Sequence, residues 1–325
     1  MHFPRKRWRL AFMAVLAALA VSATFASPAF ASEPGEDASW TQEYVGGQPL
    51  GVNGHMTEAR SAGHLLQVWR GETNNNVWMS LDNGNAFTLG NTATYVSPTV
   101  VPFGSNFMVL HTGTDGNIYY TYVYSNGGWA GNWWAVPNQT TNMAVSAAQV
   151  GTGNNGTIIL VLYRGQSNSN VYSTAFLTNE GGWQPAEIVA GGQTLAAPSV
   201  TYNAYSNQVF AVIRGMDNQV WMNSISNGQW GSWAGQGFYT YTPPMIGANG
   251  NTGHMLATAI DENGYRPTYR AYTSNGVPMP GAGWSQDITG WQTVRAVAIS
   301  VLGYSIYAIL TGLNGNVYYK QAYWG

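Results

Sequence analysis

One pattern recurs along this chain and leaves few folds open to it. A β-branched or aromatic run ends at glycine, a polar turn of Asp, Asn and Gly follows, and Val or Ile plus an aromatic opens the next run. It reads QVWRGETNNNVWMS (67–80), VLHTGTDGNIYYTY (109–122), VLYRGQSNSNVYST (161–174), AVIRGMDNQVWMNS (211–224) and AILTGLNGNVYYKQ (308–321). Each is a hairpin by composition. With Gly71, Gly113, Gly165, Gly215 and Gly312 as anchors, the spacings are 42, 52, 50 and 97, the last being two periods. Inside that gap HMLATAIDENGYRPTYRAYTS (254–274) has the same run, turn and run, with Asp261 near the anchor position, which makes six repeats.

The ends complete the count. Only 13 residues follow Gly312, while about 31 separate Trp40 from Gly71, and together they amount to one more period. WTQEYVGGQPL (40–50) also resembles WQPAEIVAGGQTL (183–195), which lies between two hairpins. A period near 48 residues with about four short strands predicts a β-propeller blade, and closure into a ring removes the sheet edges that would template aggregation. The expectation is an all-β, six-bladed β-propeller over residues 40–325, closed by an N-terminal strand pairing with the C-terminal hairpin. SPTVVP (97–102) and APSVTY (197–202) read as inner strands, and the anchor glycines as turn positions needing positive φ.

Composition narrows the chemistry. The 325 residues include no cysteine, which removes disulfides, thiolate metal sites and Cys nucleophiles. Only 8% are charged. Four of the twelve basic residues fall in the first nine positions, leaving eight against fourteen acidic groups, so a basic nucleic-acid footprint is absent. That basic start, the run LAFMAVLAALAV (10–21) and Ala29-Phe30-Ala31 read as a signal peptide over 1–31, followed by a disordered leader over 32–39. The run is too short for a membrane span, so a secreted, extracellular protein is expected.

Tryptophan and arginine carry the functional expectation. Trp129 with Trp133 and Trp134, Trp230 with Trp233, and Trp284 with Trp291 follow the hairpins, while Trp40 and Trp183 stand singly. Such rings either weld neighbouring sheets together or present a flat face to a sugar. Arg70, Arg164 and Arg214 precede three anchors, with Thr112 and Thr311 in the same register. Each guanidinium either ties down turn carbonyls or holds a ligand hydroxyl or carboxylate in a groove between blades.

The pattern in QVFAVIRGMDNQVWMNSISNGQWGSWAG (208–235), an apolar strand, Arg-Gly, Asp, Val-Trp and a Trp pair, resembles the repeat of the PLL-type bacterial β-propeller lectins. The resemblance covers the whole chain after the leader; in the first repeat Phe87 replaces the Trp and in the fifth Asp261 replaces the Gly. It implies binding of fucose-like sugars in inter-blade clefts, in a family that typically has seven blades. Carried over by position, it singles out Arg70, Trp78, Arg164, Tyr172, Arg214, Asp217, Trp221, Trp230 and Trp233 as carbohydrate-binding candidates. Similar propellers are lectin subunits of the umbrella toxin particles of actinobacteria, which implies protein subunits of a secreted complex as partners and an alternative role as an interaction scaffold.

An enzyme is the rival reading, because propellers also host sialidases and glycosidases. Glycoside hydrolysis needs two carboxylates about 5 to 10 Å apart. Glu43, Glu58, Glu187 and Asp287 are scattered over different repeats, and Asp82, Asp115 and Asp217 lie in turns. No catalytic residue, metal or cofactor is therefore expected. The histidines pair at no metal-like spacing except His55 and His64, nine apart, for which a solvated or core role is the expectation.

Overall fold

The anchored strands are apolar on both faces because both faces are covered. In Ile158–Arg164, Ile158, Leu160 and Leu162 join one core cluster while Ile159, Val161 and Tyr163 join the next. A strand with one face in each of two cores loses the usual polar alternation. Each fully buried Val, Leu or Ile contributes roughly 1.5–3 kcal/mol, and six such clusters lie between successive sheets.

The computed structural model describes residues 40–151, 156–261, 265–286, 290–302 and 304–322; the expected signal peptide, the leader and Asp287 lie outside the described residues. Six antiparallel blade sheets follow one another around a ring, and among the described residues the regular structure is all β apart from one 3-10 turn at Thr178–Glu180. From inside to outside, blade I is Thr57–Ser61, His64–Arg70, Asn76–Leu81 and Phe87–Ala93. Blade II is Thr99–Phe103, Asn106–Thr112, Asn117–Val123 and Trp134–Thr140. Blade III is Ser146–Gly151, Ile158–Arg164, Asn170–Leu177 and Glu187–Gln193, and blade IV is Ser199–Asn203, Gln208–Arg214, Gln219–Ser226 and Ala234–Tyr239. Blade V is Met245–Ala248, Met255–Ile260, Pro267–Tyr272 and Ser285–Gln286.

Blade VI closes the ring. Its Ala298–Leu302, Ser305–Thr311 and Val317–Ala322 take Thr41–Gln42 as the outer strand, with Thr41 opposite Tyr319 and Gln42 opposite Tyr318. The bond from Glu43 N to Val317 O (2.8 Å) continues the seal. The predicted shared blade is therefore the one observed.

The anchor glycines are glycines for a different reason from the one expected. None of the five has positive φ. A Cβ on Gly215 would stand 2.6 Å from both the Asp217 carboxylate and the Trp221 ring, and one on Gly113 would stand 2.7 Å from the Tyr119 ring. Close approach, not backbone handedness, excludes a side chain. Asp261 keeps the hairpin bond of an anchor, from its N to Arg266 O (3.0 Å), in the blade whose aromatic is replaced by Thr268.

A second repeat escaped the sequence reading. Thr94, Thr141, Thr194, Thr240 and Thr293 follow the outer strands of blades I to V and are all fully buried. The backbone N–H of each donates to its own blade's anchor turn, and its hydroxyl accepts from the N–H two residues on, as in Val96 N to Thr94 Oγ1 (3.2 Å) and Met143 N to Thr141 Oγ1 (3.1 Å). The short polar cap satisfies buried backbone groups where the chain crosses to the next blade. The repeated TYVSP, TNMAV, TLAAP, TYTPP and TVRAV were its sequence signal.

Candidate functional site

Each anchor turn is a side-chain clasp. Asn74 Oδ1 accepts from Asn76 N and from Trp78 Nε1 (3.2 Å), and Asp217 Oδ1 accepts from Gln219 N and Trp221 Nε1 (3.1 Å). In blade III Asn168 Oδ1 accepts from Asn170 N, while its Nδ2 donates to the Tyr172 hydroxyl (3.2 Å). The polar tips of Trp78, Tyr172 and Trp221 are thus committed to their turns. Their ring faces stay half-exposed.

Strand alternation decides which cleft each candidate enters. Leu160 and Leu162 face blade IV, so Arg164, two residues on, faces it too, and the Trp221 ring packs on that same III/IV core. Trp230 and Trp233 pack there as well. Four of the nine candidates therefore line the III/IV cleft. By the same rule Arg214 follows Phe210 and Val212 toward blade V, and Arg70 follows Leu66 and Val68 toward blade II. Trp78 lies at the VI/I interface and Tyr172 at II/III. Arginine and tryptophan of one repeat thus serve opposite clefts, a division that spacing could not reveal.

The three guanidiniums also differ in their bonds. Arg70 donates from Nε to Asn53 O (2.7 Å) and from Nη1 to Tyr95 O, and Arg214 donates from Nη1 to Tyr241 O. Both pin the crossing to the next blade, and burial lowers both pKa values, helped at Arg70 by the nearby Arg295. The half-buried Arg164 has a buried Nε with no protein acceptor, as has Arg214.

Most tryptophans weld a blade to the one before it. Trp133 Nε1 donates to Leu89 O (3.0 Å), Trp230 Nε1 to Ser173 Oγ (3.2 Å) and Trp284 Nε1 to Gln236 O (3.0 Å). Trp183 meets Tyr120 of blade II at 5.2 Å between ring centres. Trp233 lies over Gly191 and Gly192, where a Cβ on Gly192 would come within 3.0 Å of its Nε1. The strand registers align Trp40, Trp133, Trp233 and Trp284, each just before the outer strand pairs. Blade III has Ala186 there and uses Trp183 instead; blade I has Ala86. Phe87, expected at this position, is one residue out of register with it.

The missing weld leaves the VI/I seam open. One cavity of about 270 Å³ there is lined by Ala86, Trp78, Trp69 and Glu72 and by Val45, Gln48 and Pro49 of the N-terminal hairpin. A second, of about 350 Å³, is lined by Glu43, Glu58, Arg60, Gln67, Tyr44, Tyr307 and Tyr319. Glu43 and Glu58, scattered in the sequence, meet here. Gln67 donates from Nε2 to Glu43 Oε1 (3.0 Å) and also hydrogen-bonds Glu58. Burial raises both carboxyl pKa values, with Gln67 opposing at Glu43 and Ser300 opposing at Glu58. The two carboxyls share the Gln67 amide, and Glu58 is held in addition by Ser300 and faces Arg60.

Three histidines are accounted for by their neighbours. His111 is buried against Tyr119 and Trp133, and burial lowers its pKa to about 4. Burial, then Arg295, lowers His55 to about 4. His64 pairs with Asp82 at 2.8 Å rather than with His55. Among the described residues no three His, Asp or Glu side chains are grouped as metal ligands.

No protein family matches this sequence, and no curated relative matches it. Among solved structures the chain is similar to the fungal lectin of Aleuria aurantia, described as a six-bladed β-propeller with a novel fucose recognition mode. The identity is 13%, over 83% of this chain and 92% of that one, with a TM-score of 0.60. It is similar to a lectin of Burkholderia pseudomallei at 10% identity, over 91% and 92%, with a TM-score of 0.63. A neuraminidase-like protein of A/little yellow-shouldered bat/Guatemala matches at 7% identity, over 91% and 100%, with a TM-score of 0.57. At such identities the likeness shows the fold.

Proposed function

We propose that this protein is a secreted, non-catalytic, lectin-like propeller that binds fucose-like sugars between its blades, with the III/IV cleft as the principal site. The observation that carries the reading is the convergence there of Arg164, Trp221, Trp230 and Trp233 from two neighbouring repeats. The half-buried guanidinium supplies donors for hydroxyls, and half-exposed indole faces cover the apolar side of a pyranose. Support also comes from the fold shared with the two lectins. Arg70 and Tyr119 give the I/II cleft a weaker version of the same pairing. Several weak sites engaging one glycan-coated surface gain roughly 10²- to 10⁴-fold in avidity.

Titration calorimetry with methyl α-L-fucoside tests the reading. Binding is expected, with Arg164→Ala and Trp221→Ala each weakening it by about tenfold or more at this cleft, while Arg214→Ala spares it. No heat with fucose or related sugars, or sugar release from a glycoside, overturns it. A role as a scaffold subunit of a secreted toxin particle rests on the exposed Tyr95, Met216, Tyr241, Val294 and Leu313, all in anchor turns or blade crossings. Co-purification of a partner chain, lost when Tyr95 and Tyr241 become Ser, supports that second role.

A further inference from the structure

The seam cavity gathers more acceptors than donors: Gln67 serves both Glu43 and Glu58, Ser300 hydrogen-bonds Glu58, and Gln67 Oε1 has no protein partner. Glu43 follows the closing strand, Glu58 lies on the inner strand of blade I, and Gln67 is its partner on the next strand of that blade. Gln67 is only 1% exposed, spends its Nε2 on the carboxylates and leaves its Oε1 without a protein partner. An unsatisfied buried carbonyl beside two carboxylates is costly unless something donates to all three. The one cation lining the cavity, the exposed Arg60, acts on Asp82 as well as on Glu58. Tyr44, Tyr307 and Tyr319 flank the acceptors, with Tyr307 and Tyr319 edge to face at 6.3 Å.

We infer that the cleft between blades VI and I is a binding site for a small organic ammonium, held by Glu43, Glu58 and Gln67 Oε1 and flanked by tyrosines. An –NH₃⁺ group is donor-only with three protons, which matches three acceptors. Its charge offsets the carboxylate pair, and aromatic walls favour cations. A neutral polyol could donate the same bonds but would leave the like charges facing each other. The volume of about 350 Å³ admits an amino sugar or a short diamine. This site is independent of the III/IV cleft.

The probes are glucosamine and putrescine, with N-acetylglucosamine as the neutral counterpart, titrated at pH 7 into the protein by calorimetry and by ¹⁵N NMR of the Gln67 side-chain amide. One or both ammonium probes are expected to bind and shift the Gln67 amide, while N-acetylglucosamine does neither. Which of the two binds tells an amino sugar from a polyamine. Glu43→Gln and Glu58→Gln should each weaken binding by about tenfold or more, and Trp221→Ala should leave it unchanged. Absence of binding by both ammonium probes, equal binding of N-acetylglucosamine, or unchanged affinity in both glutamine variants overturns the inference. The Gln67 resonances are read in the wild-type chain, so the result does not depend on either variant folding.

Discussion

Blade interfaces I/II and VI/I are built from the same repeat and solve the same packing problem differently. At I/II, Trp133 reaches across with its ring in the core and its Nε1 on Leu89 O, and His111 packs against it. At VI/I the equivalent residue is Ala86, and the core is completed by Val45, Leu50 and Val52 from the N-terminal segment. One indole carries out in a single side chain what the seam distributes over a returning segment. The space left at Ala86 is the smaller seam cavity, and Glu43, Glu58 and Gln67 meet in the second cavity of the same seam. Repetition thus supplies an indole weld at most interfaces; blade III replaces it with Trp183 and blade I leaves the position to Ala86.

The most severe way to break the contrast is to remove the returning segment. Deleting residues 1–50 takes away the outer strand of blade VI and the buried Trp40, Val45 and Leu50. At about 1.5–3 kcal/mol per buried side chain, the loss over these three is roughly 4.5–9 kcal/mol, enough to abolish cooperative folding of a marginal protein. Thermal and urea unfolding should show the ring opening as a broad, early transition. Trp133→Ala should cost about 3 kcal/mol, at the low end for a large aromatic because the ring is only half-buried. Ala86→Trp, tested by the same denaturation, should close the smaller seam cavity and destabilise less.

The smallest effect is a difference in pH response. His111 has a folded pKa of about 4, below its ordinary 6.5, so the folded state resists protonation. Its contribution is complete above pH 6.5 and is lost as pH falls from there toward 4. Glu43 and Glu58 have raised values, so their penalty is absent below pH 4.5 and grows as pH rises above it. His55, also at about 4, adds to the acid side at the seam. Melting temperature against pH should therefore lose its acid limb partly in His111→Gln, while Glu43→Gln should flatten the decline above pH 4.5. The opposite assignment of the two limbs would show that the interfaces do not differ in this way.

The legible part of the molecule was the part written in local chemistry. Gly215, Asp217 and Trp221 form one turn because they lie within seven residues, and the motif was visible even though its glycine serves close packing rather than positive φ. The buried threonines repeat just as plainly and were passed over because a lone Thr before a loop is unremarkable in composition. Arg214 and Trp221, neighbours in one repeat, point to opposite sides of blade IV. Glu43 and Glu58, set aside as scattered, share an amide.

Sequence by itself determined the number of blades, the hairpins and the way the two ends of the chain meet, since each follows from periodicity and from turn and strand preferences acting over a few residues. Only the tertiary structure decided which side of each blade a residue faces and which residues from distant repeats confront one another. Those relations arise when sheets with two covered faces pack around a closed ring, and nothing within one repeat encodes its neighbour's opposing face. The absence of a tryptophan at Ala86 acquires its meaning only there.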